Sequence, residues 1–180
     1  MSPQGGASCE VPIVRVVDGH TAEWLETTKQ LVSDYISTWY VADAAWSDDD
    51  RQFVESLPGR CVPPDGACLL VFADEDAVGC VLLQPKGDDV LEALKLYVRP
   101  SRRRSGIARI LMEEAKDRAT LQGRALELQV HSDRLAAIAL YRALGFVEQS
   151  RRVPNYLEMQ LTRPGRTVPP RVSDPQPFDK

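Results

Sequence analysis

Apolar positions along the chain follow two periods, and the switches between them outline the elements. VPIVRVV (11–17) is a short apolar run and reads as a strand. Over 21–40 the spacing turns helical, placing Trp24, Leu31, Val32, Tyr35, Ile36 and Trp39 on one face. Ser47 is set to cap a second, short helix, with Asp50 three positions on, and Leu57-Pro58-Gly59 ends it. ACLLVFAD (67–74) and AVGCVLLQP (77–85) are continuous apolar runs around Glu75-Asp76, which predicts a hairpin. VLEALKLYV (90–98) is a further strand, stopped by Pro100. The helical period returns from Gly106 to about Leu121 through Ile107, Ile110, Leu111, Ala115 and Ala119. Glu113, Glu114, Lys116 and Asp117 take its wet side. RALELQVHS (124–132) is the next strand, and Ala137, Leu140, Tyr141 and Leu144 stripe the helix that follows. Gly145 stands where a C′ glycine stops such a helix. FVEQS and YLEMQLT close the pattern as a pair of strands.

The order β-α-α-β-β-β-α-β-α-β-β predicts an α/β (α+β) domain. Its mixed central sheet has about six to seven strands, with about four helices spread over both faces. The domain spans 11–162. Residues 1–10 are small and polar and read as a flexible N-terminus; the proline-rich 163–180 reads as a disordered tail.

Composition narrows the function. The 180 residues are 43% hydrophobic and 27% charged, as in a soluble globular domain. A net charge of −4 argues against broad nucleic-acid binding, which needs a basic face. Cys9, Cys61, Cys68 and Cys80 form no CxxC pair and the only histidines are His20 and His131, so no metal site is expected. Free cysteines and the lack of a secretion-signal pattern point to a reducing cytoplasm. No apolar run is long enough to span a membrane.

Against this acidic background, Arg99, Arg102, Arg103, Arg104 and Arg109 crowd around the turn Ser105-Gly106-Ile107-Ala108. Strand, small-residue loop and helix start are the setting for anion binding, because the first helical turn has unpaired N–H groups and partial positive charge. Taken alone, the six-residue pattern R-x-x-G-x-A is weak, and an ordinary solvated loop explains it as well. Two longer strings decide. Leu96-Tyr97-Val98-Arg99-Pro100 leads into Arg103–Ala108, and this resembles motif A of the GNAT superfamily of acetyl-CoA-dependent N-acetyltransferases. Ala137-Ile138-Ala139-Leu140-Tyr141-Arg142-Ala143-Leu144-Gly145-Phe146 matches the family's second signature, A-I-x-L-Y-x-x-x-G-F. The resemblance covers about 11–162 and is best over 67–161. There are departures: Arg104 and Ala108 stand where many members have glycine, and Arg134 where many have asparagine.

The resemblance implies a GNAT fold, acetyl-CoA as co-substrate, and direct attack by an amine in a ternary complex. It implies a cradle for coenzyme A phosphates at Arg103, Arg104, Ser105, Gly106, Ile107, Ala108 and Arg109. Backbone groups of Leu96, Tyr97 and Val98 would pair with the pantetheine arm. Tyr141 falls at the family's general-acid position, although its stripe also suits a core residue. Glu92 is the candidate base, five residues before Tyr97, with a solvated strand-edge glutamate as the plainer alternative. Simple alternation puts Glu92, Leu94 and Leu96 on one face and Ala93, Lys95 and Tyr97 on the other. His131 is a second candidate base; Cys68 and Cys80 are weaker candidates as nucleophiles, lying in apolar strands.

The acceptor is expected near the first two helices and their link. There Asp43 and Asp48–Asp50, with Trp39, Tyr40 and Trp46, would suit a cationic amine, or would simply open a helix and fill core. A small-molecule amine is the expected acceptor, a protein amine or a non-catalytic acyl-CoA sensor the alternatives. Family members are often homodimers.

Overall fold

The computed structural model describes residues 14–38, 46–149 and 154–161. The expectations for 1–10 and 163–180, and for Trp39, Tyr40 and Asp43, lie outside these residues. Seven strands form one sheet, in the order β1-β2-β3-β4-β5-β7-β6. They are β1 (Val14–Asp18), β2 (Ala67–Ala73), β3 (Asp76–Pro85), β4 (Val90–Val98), β5 (Ala125–His131), β6 (Val147–Glu148) and β7 (Tyr156–Leu161). Among the described residues only the β4–β5 pairing is parallel, so the sheet is mixed, as the element order requires.

Four helices cover the two faces: α1 (Leu25–Ser37), α2 (Asp48–Glu55), α3 (Ile107–Leu121) and α4 (Leu135–Ala143). On one face Leu111, Met112 and Ala115 of α3, with Ile138 and Tyr141 of α4, pack on Leu69, Val71, Leu91 and Leu126. On the other, Leu31, Val32 and Ile36 of α1 pack on Leu70, Phe72, Cys80 and Leu82, with Phe53 and Val54 of α2 at the margin. The central strands are buried on both faces, which is why 67–73 and 77–83 read as unbroken apolar runs.

Local chemistry sets the helix ends. The Asp50 N–H donates to Ser47 Oγ at 3.1 Å, the cap expected from the sequence. Gly145 takes φ +91° just after α4, where a left-handed residue closes the helix. Helix α1 starts at Leu25, four residues later than its periodicity suggests, because the chain through Thr21–Trp24 is spent in a turn.

The informative departure is in β4. Cys80 pairs with Tyr97 but Leu82 with Leu94, so one residue of β3 faces two of β4, Lys95 and Leu96. Lys95 sits in the left-handed region at φ +55°. This β-bulge flips the alternation beyond it. Leu96 and Val98 therefore face the α3 side, and Tyr97 joins Leu94 on the α1 side. The expected grouping of Leu96 with Glu92, and of Tyr97 with Ala93, is corrected by the bulge.

Candidate functional site

Pairing between β4 and β5 stops at Ala93 and Leu128, although the strands run on to Val98 and His131. Past that point they diverge, and the edge of β4 facing β5 has no strand partner. The wedge widens into a cleft of about 1460 Å³ that crosses the sheet. At one end lies the loop after β4; at the other lie the end of α1 and the start of α2.

The loop end is built largely from backbone. A 3-10 turn (Pro100–Arg102) follows β4, and the chain then passes through two left-handed residues, Arg104 at φ +64° and Gly106 at φ +85°. The first α-helical bond runs from the Ile110 N–H to the Gly106 carbonyl at 3.1 Å. The N–H groups of Ile107, Ala108 and Arg109 thus have no acceptor within the helix. Ile107 buries its side chain in the core and anchors the turn. A Cβ built on Gly106 would meet no atom within 4 Å, so the space before it is open. Arg103, Arg104 and Arg109 line this end; Arg103 Nε also donates to the Val98 carbonyl at 3.1 Å.

Leu96, Tyr97, Val98, Gly106, Ile107 and Ala108 likewise line the cleft. Ser105 does not: its hydroxyl donates to the Arg102 carbonyl and closes the turn. Arg104 does more than crowd the loop. It holds a conformation that costs a non-glycine residue about 1 kcal/mol.

Tyr141 reaches the middle of the wedge from α4. It packs against Phe146 at 5.7 Å between ring centroids, is buried, and lines the cleft. Its hydroxyl has no hydrogen bond to another described residue. Burial pushes its phenol well above the usual tyrosine range, and the nearby Tyr35 adds to the shift. Tyr141 is thus at once a core residue and part of the cleft wall.

Glu92 also lines the cleft, on the α1 side of the sheet. It is no loose edge glutamate: Gln84 Nε2 donates to its Oε2 at 3.0 Å, and Lys86 Nζ lies 3.7 Å from its Oε1. Lys86 also pairs with Glu127, and with Glu158 at 3.5 Å. Burial opposes the charge on Lys86, but the three carboxylates outweigh it and raise its pKa. This network was missed in the sequence, because its members come from β4, β5, β7 and the residue after β3.

His131 lines the cleft at the end of β5, with Nδ1 2.7 Å from Asp133 Oδ1 and its ring edge-on to Tyr156. The Asp133 N–H is 3.5 Å from the same nitrogen. Cys68 and Cys80 are fully buried and outside the cleft. The neighbouring Cys61 and then burial push the Cys68 thiol up; burial pushes Cys80 up to about 12. Neither is a nucleophile at neutral pH.

At the far end, Tyr35 of α1, Thr38 just after it, Asp50 of α2 and Lys95 of the bulge line the wall. Asp48 pairs with Arg51 at 2.8 Å and Asp50 accepts from Ser47 Oγ at 2.7 Å, so these acids are engaged in their own first helical turn. Trp46 packs against the apolar cluster under α1. Lys95 was missed, since simple alternation turns it to the opposite face.

A model of the acetyltransferase (GNAT) family matches residues 28–146. No curated protein sequence matches the chain significantly. Among solved structures, the PaiA N-acetyltransferase of Thermoplasma acidophilum in complex with coenzyme A is similar at 21% identity and TM-score 0.66, over 82% of this chain and 98% of that one. The ribosomal-protein-S18-alanine N-acetyltransferase of Escherichia coli is similar at 20% identity and TM-score 0.61, over 83% and 93%. An acetyltransferase from Streptococcus agalactiae is similar at 12% identity and TM-score 0.67, over 82% and 96%. At these identities the neighbours support the fold, while the family match covers both signature strings. The chain belongs to the GNAT family of acetyltransferases and is an acyltransferase.

Proposed function

We propose that this enzyme moves the acetyl group of acetyl-CoA to a primary amine on a small molecule, by direct attack in a ternary complex. The observation that carries the reading is the split between β4 and β5 beyond Ala93 and Leu128, with Tyr141 lining the cleft it opens. Acetyl-CoA, when bound, supplies an activated acyl group and a thiol leaving group.

The residues present fit that co-substrate. The free first-turn N–H groups of α3, the open space before Gly106 and the arginines Arg103, Arg104 and Arg109 suit its phosphates. The unpaired edge of β4 at Leu96–Val98 offers backbone groups to an amide-bearing arm and to an acyl oxygen. The raised pKa of Tyr141 keeps its phenol protonated at neutral pH, so it can hand a proton to the departing sulfur. Glu92 sits on the acceptor side, fixed by Gln84 and Lys86, and takes the proton of the incoming ammonium through water. The side-chain walls of Tyr35, Thr38 and Lys95 suit an acceptor of few atoms.

Release of free CoA thiol, followed across a panel of amines and peptides, tests this reading. Turnover with one class of small amine is expected, and turnover with peptides alone would redirect it to a protein acceptor. Glu92→Gln should lower kcat about a hundredfold and His131→Gln less than tenfold. The reverse order would move the base to the His131–Asp133 pair.

A further inference from the structure

Lys95 is held in a costly conformation, and among the described residues it makes no ion pair. Its backbone is left-handed, a conformation that glycine adopts freely and other residues do not. Its side chain turns to the α1 side of the sheet, with Nζ 5.5 Å from the Tyr35 ring centroid and 4.9 Å from that of Phe53. Two aromatic faces hold the ammonium and shape its direction, but they are weaker partners than a carboxylate. Among the described residues no carboxylate lies within ion-pairing distance of it. Asp50, whose charge acts on Lys95, accepts from Ser47 Oγ, and its N–H donates to the same hydroxyl. Burial accordingly pushes the Lys95 pKa down, and Asp50 recovers only part of the loss.

A lysine needed only for packing would gain from being an uncharged side chain here. This one instead lines the cleft at the end opposite the arginine loop, beside Tyr35 and Asp50. Glu92 lies three residues earlier on the same side of the sheet, about 10 Å away along a strand.

We infer that Lys95 is the specificity-determining residue of the acceptor site and binds a carboxylate, so that the acceptor is an amino acid or a close derivative of one. The inference rests on the acetyl-transfer reading. One molecule then presents its amine to the wedge and Glu92, and its carboxylate to Lys95. The ligand supplies an anionic partner that the described residues do not, and the aromatic shelf keeps the ammonium aimed at it before the ligand arrives.

The test uses matched pairs of ligands, each an amino acid and the amine left when its carboxyl group is removed. Binding to the CoA-loaded full-length protein is measured by calorimetry, alongside thiol release with acetyl-CoA. The native protein should favour the carboxylated member. Lys95→Met, which keeps the apolar stem on the two rings, should weaken that member about ten- to a hundredfold and leave the other unchanged. Lys95→Arg should restore part of the difference. Equal losses for both members, or no native preference across the pairs, would overturn the assignment. So would an acetyl group found by mass spectrometry on Lys95 itself, which would make it an acceptor and not a receptor. If calorimetry shows the preference while no acceptor releases thiol, the Lys95 assignment stands and the acetyl-transfer reading fails.

Discussion

The two ends of the cleft are made from different material. The loop end is mostly backbone: two left-handed residues, a helix start and three free N–H groups. The far end is mostly side chain, with the aromatic ring of Tyr35, the lysine of the bulge and an acid that accepts from the capping serine of its own helix. A backbone site binds what all relatives share and can be specified by a short local string. A side-chain site binds what distinguishes one enzyme from another, and it draws its residues from elements far apart in the chain.

The sharpest way to break this contrast is to strike between the ends. Tyr141→Phe should lower kcat about a hundredfold while the Kd for acetyl-CoA stays unchanged, as read by stopped-flow turnover and calorimetry. Because burial raises the phenol's pKa, no activity loss from its ionisation should appear as pH climbs towards about 10, its ordinary value. A basic limb that starts lower and vanishes in the variant would remove Tyr141 from the acid role.

At the loop end, Gly106→Val forces a β-branched residue into φ +85° and fills the open space before the helix. Acetyl-CoA should bind about tenfold more weakly or worse, with folding stability lowered by only about 1–2 kcal/mol. Equal affinity would put the phosphates elsewhere.

Towards the acceptor side, Lys86→Met leaves Glu92, Glu127 and Glu158 without their shared cation. Glu127 and Glu158 are only 5% and 7% exposed. A fully buried broken pair costs about 3–5 kcal/mol; Lys86 is 40% exposed at its side chain, so about 2 kcal/mol is expected. The sign follows from the charge. Because the pKa of Lys86 is raised, its contribution is present through neutral pH and fades only as pH climbs through the lysine range, so the loss seen in denaturant melts should shrink at alkaline pH.

The smallest effect belongs to the bulge. Lys95→Gly relieves the left-handed strain and should raise stability by about 1 kcal/mol at most, less the packing lost over Tyr35 and Phe53. Stability gained while acceptor selectivity disappears would place the strain in the service of recognition.

These contrasts also explain what could be read from the sequence. The strands 67–73 and 76–85, the Ser47 cap, the stripe of α4 and its Gly145 stop are local patterns with local causes, and all are present. The loop from Arg103 to Ala108 was legible for the same reason. Lys95 was not, because a bulge is a matter of register between β3 and β4, and nothing in LEALKLYV marks where an extra residue enters. Nor was Lys86, whose three carboxylates meet only once β4, β5 and β7 lie side by side. Ser105 sits in the same string and spends its hydroxyl on closing the turn.

The short β4–β5 ladder has a mechanical consequence. Among the described residues, the strand pairing between the β1–β4 half of the sheet and the β5–β7–β6 half is limited to four residue pairs, Val90–Ala93 with Ala125–Leu128. A ligand lying in the wedge would act as a splint across that seam. Occupancy should then slow amide exchange in β5 and β7, strands that touch few of its atoms, and raise the melting temperature of the domain as a whole.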